Sequence, residues 1–420
     1  MPLTETLIPG LGNWVDGDRF FNRDGELGLF TNHLLRGESI SLIAQRRIGK
    51  TSLMREAGRR LGEKALSIYA DLEKSFSPED AIVELSLALR SHASMWSRTL
   101  EIIGGVTKDT LSRFESIKAY EIGVTLRSSL TKEDWRQKGD AIFTALSQIG
   151  DREKRIVILF LDEVPILVSR LLKIQDGTIT SERRAETDLF MSWLRDNALR
   201  HRGKVSIVVT GSIGLEPLLS QAGLNGSINA YRHFEIRPWS IETAKQCLLA
   251  LAKGQGLPLP EAAAAHMVER LGSPIPHHVQ MFFDHVNHTY VVDEYAGDVT
   301  VELIDKVYGD TMTGLRGHPE LSHMEERLRL VLSPRQFQIA LELLTEAATV
   351  GGINAATALT ICTCAGVTND IRRTMNDVLT ILIHDGYLRN VDDHYTFESR
   401  LLQDWWCRRF GQGYHSRAVP

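Results

Sequence analysis

The chain has 420 residues, with 48 Lys+Arg against 53 Asp+Glu for a formal charge of −5; 43% of it is hydrophobic and 24% charged. That length accommodates several domains, each able to bury its own core, and the composition excludes a disordered chain. The near-balance of charge excludes a surface built throughout to wrap nucleic acid, while leaving room for a local basic patch. Four cysteines, Cys247, Cys362, Cys364 and Cys407, are too few for a disulfide framework, and the C-x-C spacing of Cys362 and Cys364 lacks the paired clusters of a zinc site. The opening MPLTETLIPGLG has neither a basic nor a continuous apolar stretch, so it does not read as a signal peptide. Apolar runs such as Ile156–Leu161 fall far short of the ~20 residues that span a bilayer. A cytoplasmic, multidomain, soluble protein is expected, with no membrane segment.

In chain order, Ile40–Ile43 (ISLI) reads as a short buried strand that runs into the loop AQRRIGKTS and then a helical pattern, LMREAGRRLGEKA. Leu66–Asp71 is a second strand ending in a carboxylate, followed by a long helical stretch from about Pro78 to Leu100. The segment from about Glu79 to Gly150 is too long for a bare connection, and reads as helices around a strand-like stretch, Ile117–Leu126. Arg155–Asp162 (RIVILFLD) is a continuous apolar strand ending in acids; Val205–Thr210 (VSIVVT) repeats that look, and His233–Arg237 is a shorter fifth candidate. Strands alternating with helices predict an α/β domain with a mainly parallel sheet, whose ligands sit at the carboxyl ends of the strands. Those ends carry Lys50, Asp71, Asp162, Glu163 and Ser212. From Ser240 the pattern turns helical, with three helices at Ile241–Gly254, Pro260–Leu271 and Pro276–Val292, then a link over roughly Tyr308–His323. The last segment reads as three helices and two short strands, with DGYLRNVDDHYTF as a hairpin and wing.

The loop Ala44–Thr51 fits G-x-x-x-x-G-K-[ST] except at Ala44, which stands for the first glycine. Such a loop turns successive N–H groups of Ala44, Gln45, Arg46, Arg47, Ile48 and Gly49, together with the start of the next helix, toward phosphate oxygens. Lys50 supplies a point charge for the β- and γ-phosphates, the Thr51 hydroxyl is a ligand for Mg²⁺, and Ser52 follows within the same phosphate-binding run. Asp162 and Glu163 close the apolar strand Ile156–Leu161, the arrangement in which the first acid holds Mg²⁺ and the second serves as general base. Ser212, at the end of the next strand, stands where a polar sensor would feel the γ-phosphate.

These residues resemble the STAND-type, archaeal-ATPase-like branch of the AAA+ P-loop ATPases, over nearly the whole chain. RFFNRDGEL looks like the family's N-terminal box F-x-G-R-x-x-E, with Asn22 in place of glycine. The resemblance places that box beside the adenine, which nominates Phe21 and Arg23. QRRIGKTSL is similar to the family's phosphate loop and LDEVPILVSRL to its D-E-x-P strand end; DLFMSWLRDNALR, VVTGSIGLEPLL, LGSPIPHHVQMF and the winged-helix ending complete the match. It implies ATP or ADP with Mg²⁺, slow hydrolysis used as a conformational switch, and a protein partner or effector in signalling or defence, with homo-oligomers open. It departs from the family at Pro276, His277 and His278, where many relatives place a sensor arginine; Arg195, Arg200 and Arg232 are the candidates for a trans-acting arginine finger.

The fold expected is therefore an α/β P-loop NTPase of AAA+ type: an N-terminal segment to residue 18, a core over 19–237 with a helical insertion at 75–150, a helical lid over 238–307, a linker over 308–332 and a winged helix over 333–413. The winged helix holds seven arginines and nine acids between Ser333 and Gly411, and no lysine follows Lys306. Since DNA affinity comes mainly from cationic contacts with phosphate, packing on protein or on the chain's own core is favoured over DNA. Trp405 and Trp406 read as core anchors of the terminal helix, and adjacent His277 and His278 point too far apart to share one metal ion. A DNA-dependent initiator or loader ATPase and a nucleotide-binding scaffold with negligible hydrolysis remain the alternative readings.

Overall fold

Four short, largely apolar runs and one short polar strand build one sheet. In the computed structural model, which describes residues 6–12, 14–104, 119–174, 177–314, 318–368 and 370–417, the chain folds as two compact units. The first comprises Asp24–Ile43 and Glu56–Glu235, and the second Met1–Arg23, Ala44–Arg55 and Ile236–Pro420.

In the first unit α1 (Asp24–Leu35) precedes β1 (Ile40–Ile43), and α2 (Lys50–Leu61), which begins in the second unit, leads to β2 (Ala65–Asp71). Then come α3 (Pro78–Ala88), α4 (Ala93–Gly104), α5 (Ala119–Ser128), α6 (Trp135–Glu153), β3 (Ile156–Asp162), α7 (Val164–Leu172), α8 (Ser181–Arg200), β4 (Val205–Thr210), α9 (Leu215–Gln221) and β5 (Arg232–Glu235). The strand order is β2-β3-β4-β1-β5 and every pairing is parallel. A parallel sheet must be covered on both faces, which is why its strands are apolar without alternation. Val157, Leu159 and Leu161 share one core with Phe143, Leu146 and Trp193. On the opposite face Phe160 stacks on Tyr69 at 4.7 Å and lies 6.5 Å from Phe30 of α1.

Two local expectations are corrected here. The stretch read as strand-like over Ile117–Leu126 is helix from Ala119 onward, residues 117–118 lying outside the described residues. Ile122 and Leu126, one helical turn apart, are buried while Val124 between them is 53% exposed, so the effective period is four, not two. The long helix expected from Pro78 to Leu100 is α3 and α4 separated by a 3₁₀ turn, Leu89–Ser91.

The second unit contains α10 (Ile241–Gln255), α11 (Glu261–Leu271) and α12 (Pro276–Val292), close to the three helices that Pro and Gly mark in the sequence, and α13 (Val301–Val307), capped by Thr300. The span 308–332, expected to be a linker, instead forms a π-helical turn at Tyr308–Met312 and a helix, α14 (His318–Val331). Its apolar Leu321, Leu328 and Val331 are buried, and Gly and Pro between residues 314 and 319 mark only where the helix starts. There follow α15 (Pro334–Val350), β6 (Ile353–Asn354), α16 (Ala355–Cys364), α17 (Ile371–His384), β7 (Leu388–Val391), β8 (His394–Phe397) and α18 (Arg400–Phe410). Helix, strand, helix, helix and hairpin, with sheet order β6-β8-β7, make a winged helix. Its wing turns at Asp392 and Asp393, both at positive φ (52° and 61°), the backbone a two-residue hairpin requires.

The winged helix is sutured to the helices before it. Tyr308 donates to Asp404 Oδ2 (2.8 Å), Tyr387 to the Met324 carbonyl (2.6 Å) and Ser399 Oγ to the Leu271 carbonyl (3.4 Å). Trp405 and Trp406 are buried, and the Trp406 indole donates to Thr345 Oγ1. The chain's last described stretch returns to α15: Ser416 Oγ and the Arg417 amide donate to the buried Glu346 at 2.6 and 2.9 Å.

The strand that ends in Asp162 depends on Phe160, which is 1% exposed. Phe160→Ala should cost about 3–5 kcal/mol of stability through lost burial and the cavity it leaves. Urea denaturation checks this as a lower midpoint with an unchanged slope.

Candidate functional site

β1 runs directly into the loop 44–49, which ends where α2 begins at Lys50. Two residues of this loop take positive φ, Arg47 (65°) and Gly49 (100°). The left-handed positions lie there and not at position 44, which is why an alanine is accommodated where the motif has glycine. Alternating handedness turns neighbouring amides toward one side, as an anion-binding nest requires. Lys50, only 8% exposed, donates from Nζ to the carbonyls of Ala44 (2.8 Å) and Gln45 (2.9 Å), so its ammonium is drawn into the concavity of its own loop.

The loop is held from several sides by its own unit. Arg23, 4% exposed, donates from Nη2 to the Ile48 carbonyl at 3.2 Å and to the Arg237 carbonyl at 3.0 Å. Asn22 and Arg23 have φ of 58° and 73°, which explains the glycine of the family box: Asn22 stands in a conformation that asparagine tolerates, and its Oδ1 accepts from the Arg23 amide at 2.6 Å. Phe21 packs edge-on against Trp239 at 5.8 Å. Ser52 Oγ accepts from the Val15 amide at 3.0 Å, and the Arg55 guanidinium lies over the Trp14 ring. Arg47 hydrogen-bonds His277 Nε2 at the first turn of α12. Gly386, at the turn between α17 and β7, lies against Gln45: a Cβ at that glycine would meet Gln45 Cδ at 2.7 Å.

In the sheet unit, Asp162 closes β3 and its Oδ1 accepts from the Glu163 amide at 3.0 Å. Glu163 has φ 57° and ψ 27°, a left-handed conformation that costs a carboxylate residue on the order of 1 kcal/mol and is typical of functional turns. Its Oε2 accepts from Ser212 twice, from Oγ at 2.6 Å and from the backbone amide at 3.0 Å. The arginine-finger candidates are engaged within the same unit: Arg195 with the Gly226 carbonyl, Arg200 with Asp140 and Arg232 with Glu38.

Arg23, Gln45, Gly386 and His277 form a brace that sequence reasoning does not assemble. Asn22 at a glycine position and the D-G-Y turn at Gly386 were its only local signals. Arg23 reaches Ile48 25 positions on, while its second acceptor at Arg237 and the Arg47–His277 pair are separated by 214 and 230 positions.

The donor set fits a polyphosphate: nest amides, a lysine ammonium and a helix N-terminus. The Thr51 hydroxyl in one unit and the Asp162 carboxylate in the other are each hard oxygen donors of the kind Mg²⁺ takes; among the described residues no group of three His, Cys, Asp or Glu is placed to hold a metal ion unaided. No described helix is long and apolar enough to cross a membrane.

The parallel sheet in the order β2-β3-β4-β1-β5, the strand–loop–helix at Lys50 and the C-terminal winged helix define the fold of the AAA+ P-loop ATPases. Two solved structures are similar to the chain at fold level. One is the Walker-type ATPase of Pyrococcus abyssi, with TM-score 0.60 and 17% identity over 94% of this chain and 99% of that one. The other is the ORC2 protein of Aeropyrum pernix in ADPNP and ADP complexes, with TM-score 0.51 and 12% identity over 95% and 97%. No protein-family model matches the sequence, and no curated protein matches it.

His278, beside the Arg47 partner, is 6% exposed, and its Nδ1 is buried without a hydrogen-bond partner. Burial first, then the charges of His277 and Arg47, hold its pKa well below the ordinary 6.5. The unfolded chain therefore takes up a proton below pH 6.5 that the folded chain refuses. Stability should fall as pH drops below that value, by up to about 1.4 kcal/mol per pH unit from this group. His278→Leu should flatten the slope, as read by denaturation midpoints between pH 7 and 5.

Proposed function

We propose that the chain binds ATP and ADP and hydrolyses ATP slowly, as a cytoplasmic conformational switch of the STAND/AAA+ kind whose output passes to a protein partner. The observation that carries the reading is the phosphate loop itself: a buried Lys50 in an amide-lined turn, held by Arg47 to His277 and seated through Gln45 against Gly386 of the winged helix. A loop so placed transmits a change in its contents to the helices and the winged helix of its own unit.

In this reading the amides of Ala44–Gly49 and the Lys50 ammonium bind the phosphate oxygens, with Ser52 beside them and Phe21 near the base. Arg23 acts on the loop by bracing the Ile48 carbonyl. The Thr51 hydroxyl and the Asp162 carboxylate are the oxygen donors that would serve Mg²⁺, an ion that would supply neutralisation of phosphate charge. The Glu163 carboxylate takes the proton of the attacking water. The winged helix serves as the moving element and the surface for the partner: its arginines are outnumbered by acids, and its wing tip is Asp392-Asp393.

Two substitutions in the full chain separate binding from chemistry. Lys50→Ala should abolish measurable ATP binding by calorimetry without lowering the thermal midpoint by more than a few degrees, whereas unchanged affinity would remove the phosphate-loop assignment. Glu163→Gln should bind ATP as wild type does but turn it over at least ~10²-fold more slowly.

The winged-helix role is tested with duplex DNA added to the full chain at ~150 mM salt. Binding weaker than micromolar and no stimulation of ATPase are expected. Sub-micromolar binding removed by Arg372→Ala with Arg373→Ala would favour a DNA-dependent ATPase instead.

A further inference from the structure

We propose that the cleft between the end of α11 and the winged helix binds a small, hydroxyl-bearing phosphate ester, with Arg389 and Arg400 as the groups that hold the anion. The cleft has a volume of about 370 Å³, the scale of a small-molecule site, and shares no residue with the phosphate loop. Its walls come from the residue that ends α11 (Gly272), the wing (Arg389, Glu398) and the start of α18 (Arg400, Gln403, Asp404), all within one compact unit.

Among the described residues the two guanidiniums keep most of their donors uncommitted. A guanidinium carries five N–H donors. Arg389 gives one, from Nε, to Thr396 Oγ1 at 3.2 Å, and Arg400 reaches Asp404 Oδ2 only at 3.9 Å, past hydrogen-bond length. That carboxylate oxygen already accepts from Tyr308 at 2.8 Å. Glu398 is half-buried and hydrogen-bonded to Ser273; burial pushes its carboxyl above the ordinary value, against the pull of Arg389. Both acids thus line the cleft without closing a hydrogen-bonded ion pair on either arginine.

The walls are fixed by the fold itself. Gly272 takes φ 74°, and a Cβ there would meet Arg400 Cβ at 2.7 Å and its amide nitrogen at 2.9 Å, so only glycine lets the start of α18 come this close. Ser399 Oγ donates to the Leu271 carbonyl and the Glu398 amide to the Tyr387 carbonyl at 3.0 Å, which holds residues 398–400 from two sides. Such walls spare a ligand the cost of ordering them. One guanidinium fork fills both oxygens of a carboxylate, whereas a phosphate monoester has three terminal oxygens and can serve two arginines. Gln403 gives its amide N–H to the Ala348 carbonyl at 3.5 Å, leaving its oxygen as an acceptor beside Asp404. Acceptors of that kind take hydroxyl groups, which a sugar phosphate and a nucleoside monophosphate both carry. In the switch reading above, the ester is an effector and not a substrate, but its binding does not depend on that reading.

The test is calorimetry on the full chain with ribose 5-phosphate, AMP, ribose and inorganic phosphate, with folding of each variant checked by urea midpoint. The two esters should bind at least ~10-fold more tightly than ribose or inorganic phosphate. AMP and ribose 5-phosphate of equal affinity would assign a sugar phosphate, and AMP the tighter of the two a nucleotide. Arg389→Gln and Arg400→Gln should each weaken ester binding about 10- to 100-fold, as expected for loss of a charge-assisted pair. Lys50→Ala, which removes the phosphate-loop charge, should leave it within about twofold. No binding of either ester, equal affinity in wild type and both glutamine variants, or loss of binding in Lys50→Ala would overturn the site. Inorganic phosphate as tight as the esters would overturn the ester class. A wild-type chain that binds the esters but not ATP would overturn the phosphate-loop reading alone.

Discussion

A loop that exposes its amides to an anion has given up the backbone partners that would otherwise hold it, so its shape must be imposed from outside. That constraint organises much of this molecule. Lys50 closes the loop on its own carbonyls, Arg23 takes the Ile48 carbonyl, Arg47 is tied to His277, and Gly386 leaves room for Gln45. The three supports from outside the loop come from different elements: the segment before α1, the first turn of α12 and the turn between α17 and β7. The compact unit that contains the loop is accordingly the helical and winged one, although the strand feeding it belongs to the sheet.

The sheet unit solves a different problem, that of holding a carboxylate in a direction. Here the tools are short and local: a left-handed Glu163, a proline in the next turn and a glycine on the neighbouring strand end. The apolar strands β3 and β4 fix the register of those two ends to within a residue, through pairs such as Leu161 with Val209. Burial of both faces makes a slip of that register expensive.

Much of this was legible beforehand, for physical reasons. Continuous apolar runs have one stable use in a chain of this composition, so four of the five sheet strands stand out, and Pro and Gly bracket α10 to α12 closely. Lys50 and the pair Asp162 and Glu163 are found where the sequence places them, at the helix start after the β1 loop and at the end of β3. The failures are equally physical. Ile122 and Leu126 sit in a stretch rich in β-branched residues, and only packing shows that their spacing is that of a helix. The helix over His318–Val331 has Pro319 as its second residue and reads as a link from sequence, and β6 is two residues long. Arg23 and His277 stand out in the sequence, but the brace they form around the loop does not, since their partners and that of Gly386 are named by no local pattern. Ser212 was found for its position, yet its bonds in the structure are to Glu163.

Glu346 lies in the middle of α15 with no exposed surface, and two of its hydrogen bonds come from Ser416 and Arg417 at the far end of the chain. Arg417 also pairs with Glu342, a turn earlier on the same helix. A shortened polypeptide stopping at the end of the winged helix proper, near residue 413, would therefore strip two donors from a buried carboxylate. Removing such partners costs on the order of 1–3 kcal/mol each. The last turn of chain is thus a working part of the domain's interior, and a purification handle or fluorescent fusion grafted directly onto a trimmed end would weaken the winged helix from within.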